Sequence, residues 1–159
     1  MLVENLMTRQ SQSCQPGDSL ASAAQLMWEH DCGCIPVCSD NGARRVVGVI
    51  TDRDICMDAL FQGKALKELR VSEAMSKSLT TCRPSDSLAQ AERIMREARV
   101  RRLPVVNGDG ALLGMVSLAD LAREAVREHA LPRKEVTETD VGNTLASICA
   151  VPRHSLAAT

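Results

Sequence analysis

Apolar residues recur at helical spacing twice, and short apolar runs follow each time. Leu20, Ala23, Ala24 and Met27 form one stripe behind the start signal Pro16-Gly17-Asp18-Ser19, and Asp86 to Ala98 carries a similar stripe; a period near 3.6 predicts an amphipathic helix at each. Ile35 to Cys38 pairs with Val46 to Ile50, and Leu103 to Val106 with Leu112 to Val116, as short strands. Between the partners lie Ser39-Asp40-Asn41-Gly42 and Asn107-Gly108-Asp109-Gly110; the Asn41-Gly42 pair tolerates positive φ, a hairpin signal. Further helices are predicted from near Asp52 to about Gln62 and from Leu118 to about His129. Each half therefore reads as a short lead-in strand, a helix, two strands and a helix.

The halves are copies. Cys14 to Gly42 aligns without a gap onto Cys82 to Gly110, and NLMT (Asn5 to Thr8) aligns with EAMS (Glu73 to Ser76). VVGVITDRDI matches LLGMVSLADL once two residues are dropped from the turn at Ala43-Arg44-Arg45. The domains are then repeat 1 at 1–66, repeat 2 at 67–130 and a tail at 131–159, with Gly63 to Arg70 as linker. A unit of about 60 residues buries little core alone, so the copies should pack about a pseudo-twofold axis and leave a cleft between them. In the tail, Thr139-Asp140 is a possible cap ahead of Val141, Leu145, Ile148 and Cys149 at helical spacing, with Pro152 as the stop. A helix of about ten residues is marginal by itself and must dock.

Composition narrows the function classes. The 159 residues are 45% hydrophobic and 25% charged with net charge −1, which suits one compact soluble domain or two small ones. Near-neutral charge argues against a general nucleic-acid binder. With Trp28 and Phe61 as the sole aromatics, stacking platforms for bases are lacking. The N-terminus carries no apolar stretch of signal-peptide length and no run approaches a membrane span, so no membrane partner and a cytoplasmic location are expected. Seven cysteines without an export signal predict mostly reduced thiols.

Candidate chemistry lies where the second strand of each pair runs into a helix. Thr51-Asp52-Arg53-Asp54 and Ser117-Leu118-Ala119-Asp120 each put a hydroxyl three residues before a carboxylate. This spacing is that of a variant capping box. It is also compatible with a ligand, because a helix N-terminus offers amides to phosphate and a carboxylate can accept both hydroxyls of a ribose. Arg53, Arg101 and Arg102 are the candidate phosphate cations, although Arg99, Arg101 and Arg102 could equally form a solvated basic edge. No Walker A loop, dinucleotide fingerprint or supported catalytic triad occurs, and His30, His129 and His154 stand apart, so neither an enzyme nor a cofactor is expected. Cys14, Cys38, Cys56 and Cys82 read as small buried hydrophobes. The spacing of Cys32, Cys34 and Cys38 lacks paired zinc knuckles, so no metal is expected.

The duplicated set, xxMT/S, P-x-D-S-L-x-x-A, [IL]-P-V and G-[VM]-[IV]-[TS]-x-x-D-[IL], resembles a tandem pair of CBS domains, a Bateman module, over about residues 2–128. The resemblance implies an α/β (α+β) fold of two pseudo-symmetric repeats, each a small three-stranded sheet with two helices, plus the short C-terminal helix. It implies a regulatory module binding AMP, ADP, ATP or S-adenosylmethionine in the cleft, forming a homodimer and signalling to an unidentified effector protein. Thr51 and Asp54 would serve one site, and Ser117 and Asp120 the other. Arg101 and Arg102 match the family's basic pair, whereas Gly33 and Cys34 stand in their place in repeat 1. Ala119 stands where repeat 1 has Arg53, so the Asp54 site is expected to be the stronger. The resemblance also puts Cys32, Gly33 and Cys34 against the Asp120 site, where Cys34 could sense oxidation if exposed and acidic. Two alternatives remain, a redox- or metal-responsive cysteine module and a structural dimerisation scaffold.

Overall fold

Ser19 starts the first helix: its backbone is extended and its hydroxyl accepts the Ser22 amide, so α1 (Leu20–Glu29) begins with one of its free donors satisfied. α1 buries Leu20, Ala23 and Met27. β1 (Cys34–Cys38) and β2 (Val46–Thr51) pair antiparallel with Ile35 opposite Ile50 and a slip between Val37 and Cys38. α2 (Asp52–Gln62) leaves directly from the end of β2 and stops at Gly63, whose φ of 62° closes the last turn. These elements belong to a computed structural model that describes residues 1–39 and 42–150; Asn41 of the first turn, the Pro152 stop and His154 lie outside the described residues.

The expected linker is structured. Leu66–Glu68 forms a 3₁₀ turn and Val71–Ala74 a short helix, α3, while Leu69 and Val71 are buried in the first core. Repeat 2 then gives α4 (Leu88–Ala98), β3 (Arg102–Val106), β4 (Leu112–Ser117) and α5 (Leu118–Arg127). α4 begins two residues after Asp86 because Ser87 is its cap. β3 and β4 reproduce the β1–β2 register, slip included. The described architecture is thus mixed α/β with two small antiparallel sheets and six α-helices. No helix among the described residues is long and apolar enough to cross a membrane.

The third strand expected in each sheet is reduced to isolated bridges, Cys14 to Val37 and Cys82 to Val105. The lead-in segments cross over. Thr8 pairs with Met115 of β4 through bonds of 2.8 and 3.0 Å, and Ser76 pairs with Val49 of β2 through bonds of 3.1 and 2.9 Å. The glycine of the GMVS and GVIT motifs makes this crossing possible. A Cβ on Gly114 would lie 2.5 Å from the Thr8 carbonyl oxygen, and one on Gly48 would lie 2.7 Å from that of Ser76. Val3 and Met7 therefore join the core of Leu88, Met95, Leu103 and Leu121, whereas Leu69 and Val71 join that of Leu20, Ile35 and Ile50. Between the repeats, Arg45 bridges Ala111, and Cys38, Val46, Val106 and Leu112 form a small cluster. Corresponding residues meet across the junction, as a twofold relation requires.

The tail helix α6 (Glu138–Cys149) docks on α4 and α5. Its cap is Thr137, which pairs with Asp140 in a full capping box; the expected Thr139 is not the cap. Val141 and Ile148 pack on the repeat 2 core, but Leu145 is 43% exposed and Thr144 is buried in its place. The helix is rotated this way because the Thr144 hydroxyl accepts from Arg96 at 2.8 Å and donates to buried Glu92 at 3.4 Å.

Candidate functional site

β2 delivers Thr51 to the start of α2 with extended backbone, and the sequence there satisfies its own helix end. The Asp54 amide donates to Thr51 Oγ1 at 3.2 Å, while Thr51 N and Thr51 Oγ1 donate to Asp54 Oδ2 at 2.9 and 2.7 Å. The box fixes the Asp54 rotamer and leaves Oδ1 with no partner among the described residues. The other two amides of the turn are taken as well: Asp52 N donates to the Gly33 carbonyl at 3.2 Å, and Arg53 N to Asp52 Oδ1 at 2.8 Å. The free amides expected for phosphate are therefore occupied, since Asp52 at the first helical position folds back over them. An anion at this site falls to the arginines.

Those arginines are present. A cavity of about 560 Å³ is lined by Thr51, Asp52, Arg53 and Asp54, by Gly33 and Cys34, by Ser76, Ser78 and Thr80 behind α3, and by Arg99, Arg101, Arg102 and Pro104 from repeat 2. Val49, Val100 and Ile148 supply apolar wall. Four arginines against two aspartates make the lining cationic. Arg99 reaches it from a left-handed cap at the end of α4, with φ of 54°. Volume and mixed lining suit a small ligand, for which pockets of about 300–1,000 Å³ are usual. Ser78 and Thr80 carried no signal in the sequence, Ser76 and Ile148 were legible only as parts of the repeated entry motif and the tail helix, and Arg99 only as part of a basic run.

The second box is built alike but closed. Ser117 N and Oγ donate to Asp120 Oδ2 at 2.8 and 2.6 Å, and the Asp120 amide donates to Ser117 Oγ at 3.2 Å. Here Oδ1 is ion-paired with Arg123 on the next turn of α5. Repeat 1 has Met57 at that position and makes no such pair.

Cys34 sits opposite Thr51 in the β1–β2 ladder, and that register puts Gly33 and Cys34 in the Asp54 cavity. The expectation that they line the Asp120 site does not describe this arrangement. Cys32 and Gly33 border a neighbouring hollow of about 370 Å³ with Trp28. Burial pushes the Cys34 thiol up to about 11 despite the opposing pull of Arg102, so it is protonated at neutral pH, unlike a low-pKa redox sensor. Cys14 and Cys82 are pushed up to about 12, mainly by burial. Cys14, Cys38 and Cys82 are buried as expected, whereas Cys56 is exposed because Ile55, not its neighbour, faces the core. Among the described residues no three His, Cys, Asp or Glu side chains converge as a metal site.

The family model of the CBS domain matches residues 3–58 and 71–127. YhcV of Bacillus subtilis, a CBS domain-containing protein, is 38% identical over 120 residues, 76% of this chain and 82% of that one. A crystal structure of CBSX2 in complex with AMP is 30% identical with a TM-score of 0.68, covering 80% of this chain and 98% of that one. Hypoxic Response Protein I, solved with two coordinated zinc ions, is 31% identical with a TM-score of 0.69, covering 77% and 98%. With both repeats matched in order and the fold shared, this chain belongs to the CBS domain family and carries a tandem pair of its domains.

Proposed function

We propose that the protein is a regulatory, non-catalytic module that binds an adenine nucleotide in the cavity containing Thr51 and Asp54 and passes the change to an effector protein. The observation that carries this reading is the Asp54 carboxylate: one oxygen locked in the capping box, the other without a partner among the described residues, in a cavity with four arginines. Asp54 would accept the ribose hydroxyls, and Arg53, Arg99, Arg101 and Arg102 would take the phosphates. CBSX2, crystallised with AMP, supports the adenine assignment. The cationic lining favours AMP, ADP or ATP over S-adenosylmethionine, whose sulfonium brings positive charge to the arginines. Ser117 and Asp120 form the weaker second site, since a ribose there must displace Arg123. Titration calorimetry with all four compounds tests the reading: anionic nucleotides should bind, tighter with more phosphates. Absence of binding by every nucleotide at millimolar concentration would remove it.

The same reading includes a cytoplasmic homodimer. α6 covers the α4–α5 face of repeat 2, while α1 and α2 of repeat 1 expose Trp28 at 87% and Phe61 at 78%. A second copy on that face would bury them. Sedimentation should give a dimer that Trp28→Glu dissociates; a monomer at every concentration would refute it. A metal-responsive role draws support from the zinc in Hypoxic Response Protein I, and a melting temperature that falls with chelator would favour it.

A further inference from the structure

One wall of the Asp54 cavity comes from outside the repeats. Ile148, in the last turn of α6, lines the cavity beside Arg99 and Arg101 and also packs against the repeat 2 core. The next residue, Cys149, accepts a hydrogen bond from Arg101 Nη2 at 3.4 Å. One side chain thus touches both the ligand space and the surface on which α6 docks, and one guanidinium spans the cavity and the end of the helix. We infer that the last turn of α6 is part of the ligand site, so that filling the cavity tightens the docking of α6.

The helix is suited to such coupling. It has 12 residues, about the length at which an isolated helix fails to persist in water. Its underside is partly polar, with Thr144 against Glu92 and Arg96, so apolar burial alone does not clamp it down. Elements that report on ligands come from this low-stability end of a fold. A bound nucleotide adds apolar contact to Ile148 and anchors Arg101 on its phosphate, restricting both groups beneath the last turn. By linkage, whatever the ligand contributes to α6 docking, α6 docking contributes to ligand affinity.

This inference rests on the nucleotide reading of the cavity. The full chain is examined by hydrogen exchange with and without saturating ADP, with AMP in parallel, and affinities are measured by calorimetry for wild type, Ile148→Ala and Leu145→Ala. Leu145 lies on the same helix but points to solvent. Expected are slower exchange across residues 144–150 on ADP binding, affinity weakened roughly fivefold by Ile148→Ala through lost apolar contact, and unchanged affinity in Leu145→Ala. If ADP binds while exchange in α6 and the affinity of Ile148→Ala stay at wild-type values, the inference is overturned and the nucleotide reading stands. Equal weakening by Leu145→Ala also overturns it, since the effect would then lie in the helix and not in the wall. If neither nucleotide binds the wild type, both fall together.

Discussion

Asp54→Ala separates the two tasks of one carboxylate. Removing it breaks the bonds that Oδ2 takes from Thr51 N and Oγ1. The Thr51 cap itself remains, so loss of the carboxylate half of the box costs about 1 kcal/mol, and loss of the acid from the first turn up to about 1 kcal/mol more. At about 2–4 °C per kcal/mol for a chain of this size, the ligand-free variant should melt about 2–8 °C below wild type. The second task belongs to Oδ1. A charge-assisted bond from a ligand hydroxyl is worth about 1.5–3 kcal/mol, so ADP affinity should fall about 10- to 100-fold. With ADP at a hundred times the wild-type Kd, the ligand stabilises wild type by about 2.7 kcal/mol and the variant by only about 0.4–1.4 kcal/mol. Asp120→Ala is the matched control. It loses the same box, with bonds of 2.8 and 2.6 Å, but its Oδ1 is already held by Arg123. It should therefore melt lower by a similar amount and keep most of its ADP response. Differential scanning fluorimetry on the three proteins reads both effects. A full ADP response in Asp54→Ala, or its loss in Asp120→Ala, would refute the assignment of the stronger site to Asp54.

Other expectations follow from groups away from that carboxylate. Burial, then Asp140, push the Glu92 carboxyl up, against the pull of Arg96 and Thr144; the folded state therefore holds its proton to higher pH than the unfolded chain, and stability is lost as pH rises past the ordinary Glu value of about 4.3. Glu92→Gln should be more stable than wild type in urea at pH 7, with the gap closing as pH falls toward that value; a gap of opposite sign would refute this. Cys34, held up near 11, should alkylate at pH 7.5 far more slowly than exposed Cys56 and Cys149, as peptide mass spectrometry can follow; Cys34 reacting first would overturn the view that it is inert. Gly114→Ala forces a Cβ to within 2.5 Å of the Thr8 carbonyl oxygen and should destabilise by about 1–3 kcal/mol, read by denaturant unfolding; a neutral effect would contradict the close crossing at β4.

The fold was legible because duplication shows every signal twice. The strand runs, the turns and the hydroxyl-x-x-carboxylate spacing each had a second instance against which to be read. The capping boxes of Thr51 with Asp54 and of Ser117 with Asp120 were legible for the same reason. What could not be read was pairing through the backbone alone. Nothing in NLMT says which sheet it joins; the crossing is marked only by Gly48 and Gly114, whose purpose appears once the other strand is in position. The occupied amides of α2 depend on the Asp52 rotamer and the Gly33 carbonyl, neither of which has a sequence signature. Two signals were present and readable otherwise. Thr137 stands three residues before Asp140, the spacing of the other boxes, and Arg123 stands one turn beyond Asp120. The face of α6 turns on Thr144 meeting Arg96 and Glu92 across about 50 residues, which periodicity cannot weigh.

The crossed lead-in segments also order events during synthesis. Val3 and Met7 belong to a core whose other members run from Cys82 to Val136 and are all translated well after them. Repeat 1 reaches its own core only with Leu69 and Val71. Val3 and Met7 thus find their core partners only once repeat 2 is being made, when the Val3 amide can also reach the Asp86 carbonyl at 2.9 Å. The segment that leads into repeat 1 therefore closes onto repeat 2 late in synthesis, so neither core is completed without residues from the other half.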